Sequence, residues 1–145
     1  MLSRNNGKYV EESVRSVFNQ TYKKWVLMFV DDSETKDDTI CKIMTLREEG
    51  VLRTETGKTI DCINIAQSVH QRGDINIINS VLHNVHGRWI AFLNVGDVWA
   101  SDKLEKQIGF MEEHGYAFSY TQYRLMDSKS QDRGFLIGGK EHVSK

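Results

Sequence analysis

The sequence predicts an α/β fold, with a mainly parallel sheet between two layers of helices. Two observations lead there. Helical and strand-like apolar patterns alternate along most of the 145 residues, as βα repeats require. Two of the strand patterns, Trp25–Val30 and Trp89–Leu93, are continuous apolar runs, the signature of strands buried on both faces.

Val10, Val14, Val17 and Phe18 recur at helical spacing and predict a first amphipathic helix over residues 8–19, ahead of the Trp25–Val30 strand. Asp37 or Asp38 is placed to cap a second helix bearing Ile40, Ile43 and Met44, with Gly50 to end it. After a loop over 51–58, a weaker strand is expected over 60–66. Asp74 is placed to cap a third helix facing inward through Ile75, Ile78, Leu82 and Val85, and Gly87 to stop it. The Trp89–Leu93 strand follows. Ser101 is then a candidate cap for a fourth helix with Leu104, Ile108 and Met111, ending at Gly115. Tyr116–Thr121 reads as the last clear strand, and Phe135–Ile137 as a short one within a polar stretch from Asp127. The expected division is therefore one domain over 1–126 and a polar tail, or the start of a further region, over 127–145. A βα unit ordinarily begins with a strand, so the pattern implies that a first strand is missing upstream. Proline is absent, and nothing in the pattern explains it.

Composition narrows the function classes. A formal net charge of −1 gives no basic excess for nucleic acid or an anionic surface, and no apolar run is long enough for a transmembrane segment. Cys41 and Cys62 stand apart, without the close pairs of zinc or redox motifs, and read as free thiols in a reducing compartment. His83 and His86 are spaced for chelation but have no third ligand nearby in sequence, so helix-end surface residues are the simpler reading. Asn19-Gln20-Thr21 and Arg72-Gly73-Asp74 read as chance matches to short motifs.

In an open parallel sheet, ligands bind outside the carboxyl ends of the strands. Asp31-Asp32 follows one apolar run and Asn94-Val95-Gly96-Asp97 follows the other, so the two clusters are expected at one edge. Carboxylates there suit a nucleotide sugar: one accepts hydrogen bonds from base or ribose, another holds Mg²⁺ or Mn²⁺ against the diphosphate. The plainer alternatives are a strand-end turn capping the next helix and an ordinary glycine turn.

Several ordered motifs then share one resemblance. Asn6-Gly7-Lys8-Tyr9-Val10-Glu11-Glu12-Ser13-Val14, with Ser16-Val17-Phe18-Asn19-Gln20-Thr21, resembles the stretch after the first strand of family 2 glycosyltransferases. Val30-Asp31-Asp32-Ser33-Glu34-Thr35-Lys36-Asp37-Asp38-Thr39 resembles the family's V-D-D-G-S-T-D-x-T loop, lengthened by one residue. Gly87-Arg88-Trp89-Ile90-Ala91-Phe92-Leu93-Asn94-Val95-Gly96-Asp97-Val98-Trp99, continued by Asp102-Lys103-Leu104-Glu105-Lys106-Gln107, is similar to G-x-[YW]-[IV]-[AT]-F-L-D-x-D-D-x-[WY]. Together these cover most of residues 5–127.

The resemblance implies a GT-A fold, a Rossmann-like three-layer α/β/α sandwich lacking its first strand. It also implies transfer of a sugar from a nucleoside-diphosphate sugar, a UDP-sugar in the first instance, to a glycan or lipid-linked acceptor in cell-surface polysaccharide synthesis. Asp31 and Asp32 would then serve the nucleoside, and Asn94 and Asp97 the diphosphate and an Mg²⁺ or Mn²⁺ ion. The location implied is cytoplasmic, at the inner face of a membrane, and the catalytic base is expected beyond Lys145. Two departures stand out. Asn94 and Gly96 occupy the acidic positions of the family's D-x-D, leaving Asp97 as the carboxylate, and only Asn79 remains of an Ala-Arg-Asn run. A non-catalytic relic or nucleotide-sugar-binding module is thus the first rival reading. A receiver-like signalling domain is the second, although Asn94 stands where its phospho-acceptor aspartate belongs.

Overall fold

The computed structural model describes residues 1–32, 35–50, 61–65, 79, 81–83 and 85–138. They form two compact units, Met1–Asp102 and Lys103–Lys145.

In the first unit, β1 (Leu2–Ser3), β2 (Met28–Asp32) and β3 (Asp61–Ile65) make a parallel sheet in the order β1-β2-β3. Leu2 lies level with Val30, and Met28–Asp32 pairs residue by residue with Asp61–Ile65. Parallel strands demand crossovers, and α1 (Val10–Phe18) and α2 (Thr39–Glu48) stand in the two connections. Alternation along β2 divides the core. Leu27 and Phe29 join Val10, Val14 and Val17 of α1 and Ile43 and Leu46 of α2 on one face, while Val30 meets Val81 on the other. Helical residues Asn79, Val81 and Leu82 lie in the expected third helix, the rest of which falls largely outside the described residues.

The lead-in strand missing from the sequence pattern is present as β1. Two residues carry no periodicity, so the strand is visible only through its ladder: the Val30 amide donates to Met1 O at 2.8 Å and the Val95 amide to Leu2 O at 3.0 Å. The Trp89–Leu93 run departs from expectation in the other direction. It is not a strand; among the described residues it meets β1 only at its end, where the Leu2 amide donates to Leu93 O at 3.2 Å and Leu2 bridges Asn94 just beyond, and Ile90 and Phe92 are exposed while Leu93 and Val95 are buried. Apolar content signalled burial here, but β1 offers a partner to residues 93–95 alone. For the same reason β2 begins at Met28 and leaves Val26 exposed, later than the apolar run suggests.

α1 forms where the valine spacing places it. Val10, Val14 and Val17 are buried, Glu11 and Glu12 favour the positive end of the helix dipole, and the Arg15 guanidinium pairs with Glu11 at 2.8 Å. In α2 the buried residues are Thr39, Ile43 and Leu46, and Met44, expected inside, is exposed. Gly50 ends α2 in the left-handed region, φ 75°, with its amide on Arg47 O.

In the second unit, α3 (Lys103–His114) buries Leu104 and Met111. It is followed by a hairpin of β4 (Tyr123–Met126) and β5 (Asp132–Ile137), in which Tyr123 pairs with Ile137 and Met126 with Asp132. The strand expected over Tyr116–Thr121 lies instead at β4. Alternating aromatics at Phe118 and Tyr120 imitate a strand pattern, but β5 pairs with the residues beyond them. Asp127 Oδ1 accepts the amides of Lys129 and Gln131 and shapes the hairpin turn, which is where the expected boundary at 126/127 falls.

Candidate functional site

The parallel register fixes which residues share the carboxyl edge of the first unit's sheet. Val30, Leu2 and Asn94 are level across three neighbouring segments, so Val30 and Asn94 are two strand spacings apart, about 10 Å. One residue further on, Asp31 is level with Ser3. The two acidic clusters therefore end neighbouring parts of one edge, but their side chains do not all share a face. Asp31 follows Phe29 onto the α1 side, whereas Asn94, between buried Leu93 and Val95, points away from it and is exposed. Asp97 is exposed at the end of the turn. Asp32 closes β2 opposite Ile65.

Asp31 is 1% exposed, unusual for a carboxylate, and accepts a hydrogen bond from Thr35 Oγ1 at 3.1 Å. Beside it, Ser3 is also buried, and its Oγ has no hydrogen-bond partner among the described residues. A buried hydroxyl without a partner next to a buried carboxylate is a polar pair suited to the hydroxyls or amides of a ligand.

The loop after β2 is tied to the loop after β1. Asp37 Oδ2 accepts the Gly7 amide at 2.7 Å, Thr39 Oγ1 accepts the Asn6 amide at 3.1 Å, Asn5 Oδ1 accepts the Lys36 amide at 2.8 Å, and Lys42 Nζ donates to Gly7 O at 2.8 Å. Asp37 also accepts the amide and hydroxyl of Thr39. Asp37 is thus the side chain at the head of α2, whereas Asp38, at the N-cap position, makes no cap hydrogen bond. These bonds, the Thr39 hydroxyl first and the Gly7 amide next, hold the Asp37 carboxyl below the ordinary 3.8.

The Asn94–Asp97 turn is held differently. It closes through the Asp97 amide on Asn94 O at 3.1 Å, with Gly96 at φ 108°. The Gly96 amide donates to Ser13 Oγ at 2.9 Å and the Trp99 amide to Ser16 Oγ at 3.2 Å, while Gln20 Nε2 reaches Ala100 O at 2.7 Å. Ser13, Ser16 and Gln20 are all buried: the serines form a polar stripe among the valines of α1, and Gln20 continues it just past the helix end. Sequence reasoning gave these three no role. Their spacing of three and four residues on the face carrying Val10 and Val17 is the signal that could have found them.

Among the described residues no group of three or more His, Cys, Asp or Glu side chains is placed to hold a metal, and His83 and His86 are exposed. A cleft of about 490 Å³ beside α1 is lined by Lys8, Glu11, Arg15, Asn19 and Trp99 among others, but by none of Asp31, Asn94 and Asp97.

The glycosyl transferase family 2 model matches residues 1–135. The chain belongs to that family. Relatives include TuaG of Bacillus subtilis (strain 168), named as a teichuronic acid biosynthesis glycosyltransferase, 36% identical over 124 residues, which are 86% of this chain and 45% of TuaG. A second is WfgD of Escherichia coli, a UDP-Glc:alpha-D-GlcNAc-diphosphoundecaprenol beta-1,3-glucosyltransferase, 29% identical over 90% of this chain and 46% of WfgD. The chain thus spans less than half the length of either. The crystal structure of Staphylococcus aureus TarS 1-349 in complex with UDP superposes with a TM-score of 0.62 at 19% identity, covering 79% of this chain and 31% of TarS, which supports the GT-A fold. Family membership sets aside the receiver-like reading. No helix among the described residues is long and apolar enough to cross a membrane.

Proposed function

We propose that this chain forms the nucleotide-sugar-binding part of a glycosyltransferase that moves a sugar from a nucleoside-diphosphate sugar to a glycan or lipid-linked acceptor in cell-surface polysaccharide assembly, at the cytoplasmic face of a membrane. The observation that carries the reading is the meeting at one edge of a parallel sheet of buried Asp31, the Asn94–Asp97 turn and Ser3, whose hydroxyl has no partner among the described residues. Family membership supports the reaction class, and the UDP-Glc-dependent activity for which WfgD is named, together with the UDP complex of TarS, favours a UDP-sugar donor. Residues 1–126 are proposed as the binding domain, and residues 127–145 as a polar tail or the start of an acceptor-side region.

In this reading Asp31 and Asp32 accept hydrogen bonds from the nucleoside, with Ser3 Oγ beside Asp31, while Asn94 and Asp97 face the diphosphate. The donor set fits an Mg²⁺ or Mn²⁺ ion held mainly by substrate phosphates and water, since such ions ordinarily take only one or two protein carboxylates. Asp97 would supply the charge and the Asn94 amide oxygen a neutral ligand. When bound, the cation offsets negative charge on the leaving diphosphate. A single carboxylate implies weaker affinity than two, and this favours as a second reading a binding module without transfer activity.

Calorimetric titration with UDP and UDP-sugars, with and without Mn²⁺, tests the proposal. Binding strengthened by Mn²⁺ is expected, with the metal dependence lost in Asp97→Ala and overall affinity reduced in Asp31→Ala. A folded sample that binds neither UDP nor any UDP-sugar would overturn it. Binding without sugar transfer to any glycan or lipid-linked acceptor would favour the binding module.

A further inference from the structure

We propose that Ser13 is a positioning residue: through its hydrogen bond with the Gly96 amide, helix α1 sets the geometry of the Asn94–Asp97 turn and with it the turn's affinity for a divalent cation. This rests on the cation reading above. Ser13 is wholly buried in the middle of α1, where serine offers neither good helix propensity nor apolar area. Its hydroxyl is matched by the Gly96 amide at 2.9 Å, and this contact spans 83 residues of sequence.

The neighbouring bonds show what is specific to Ser13. Ser16 Oγ donates to Ser13 O at 2.7 Å and accepts the Trp99 amide, and Gln20 bonds Ala100 O, so the segment from Gly96 to Ala100 lies along the polar stripe of α1. Ser16 and Gln20 anchor that segment after it has left the turn. Ser13 alone of the three holds an amide inside the turn, between the two candidate ligands and next to Asp97. Gly96 at φ 108° has no Cβ to restrict its backbone, so the direction of its N–H depends on the acceptor it is given. With one carboxylate in the donor set, affinity depends on how well Asn94 and Asp97 are placed, because little charge is available to compensate for misplacement.

Ser13→Cys tests this with little change of volume, because a thiol is a weak acceptor; Ser13→Thr keeps the hydroxyl, and Ser16→Cys controls for a general weakening of α1. Two readouts on the full chain are needed: hydrogen exchange of the Gly96 amide without metal, and the Mn²⁺ concentration that half-broadens the Asn94 and Asp97 amide resonances. Ser13→Cys is expected to speed Gly96 exchange and to raise the Mn²⁺ requirement, each by about three- to tenfold, with the Val14 and Val17 amides unchanged. Ser13→Thr should restore both, and Ser16→Cys should leave the Mn²⁺ requirement alone. Should the thiol prevent folding, Ser13→Ala takes its place.

Gly96 exchange that is unchanged in Ser13→Cys, or equal Mn²⁺ shifts in the Ser13 and Ser16 variants, would overturn the proposal. If Mn²⁺ broadens nothing in the wild type, the cation reading fails, and with it the link from Ser13 to cation affinity. Gly96 exchange then decides whether Ser13 controls the turn.

Discussion

The loop that follows β2 and the turn that follows Leu93 flank one sheet edge, yet the chemistry of their anchors differs. Thr35–Thr39 is tied to Asn5–Gly7 by neutral bonds at Asn5 and Asn6 and by charged groups at Gly7, with Asp37 receiving the Gly7 amide and Lys42 of α2 reaching Gly7 O. Asn94–Asp97 is tied to α1 by neutral, buried groups, Ser13 on Gly96 and Ser16 on Trp99 just beyond. An exposed charged anchor responds to pH and salt, whereas a buried neutral one responds to loss of the acceptor or of backbone geometry. The two halves of the proposed site should therefore be separable by experiment, although they share a hydrophobic floor.

That floor gives the largest expected effect. Phe29 is fully buried in the cluster that joins α1, α2, Leu93 and Val95. Phe29→Ala should cost about 3–5 kcal/mol in urea unfolding and weaken amide protection in both loops together. Loss of protection in only one of them would break the idea of a common support.

Gly96→Ala sharpens the comparison at the neutral anchor. An added Cβ meets nothing within 4 Å, so the penalty is almost wholly the backbone's, φ being 108°. About 1–2 kcal/mol of stability should be lost, with faster exchange at the Asp97 amide and none at Gly7. Thermal unfolding together with amide exchange checks both. The same argument weighs against restoring the family's second acidic residue by Gly96→Asp alone, because the carboxylate would arrive on a strained backbone.

Much of this edge was legible in the sequence because it follows from topology. Two apolar runs each ending in a polar cluster, in a chain of alternating elements, place both clusters on the same side of a parallel sheet. The details that hold them were not legible. β1 is too short to show a period, and the Trp89–Leu93 run registers hydrophobicity without saying that its pairing with β1 is confined to Leu93–Val95. Ser13 and Ser16 read as indifferent helix residues until the amides they accept come into view. Asp37 and Asp38 are adjacent acids of equal capping ability, and the positions of the Thr39 hydroxyl and the Gly7 amide together select Asp37.

The charged anchor carries the pH dependence. The folded-state pKa of Asp37 lies below 3.8, so its contribution is fully present above the unfolded value and is lost as pH falls through the folded one. Asp37→Asn should therefore lower the urea midpoint near pH 6 and flatten the acid limb below about pH 4, with the wild type and variant converging towards the acid end. An acid limb as steep in the variant as in the wild type would assign the pH dependence to other carboxylates. Ser13→Cys should leave that limb's shape unchanged.

The smallest effect is expected on the outer face of α1. Arg15 meets Glu11 one turn earlier through two nitrogens at 2.8 and 2.9 Å, but both side chains are about half exposed, 43% and 53%. The orientation, with Glu on the N-terminal side of the pair, favours the helix, yet solvent screening limits an exposed pair of this kind to about 0.3–0.5 kcal/mol. Arg15→Ala should lower stability by that amount at low salt, and 0.5 M-range salt should erase most of the difference. Because Arg15 also lines the cleft beside Trp99, a loss several times larger that persists in salt would show that its aliphatic stem packs against the segment α1 supports, and the neutral anchor would then extend across the helix to its solvent side.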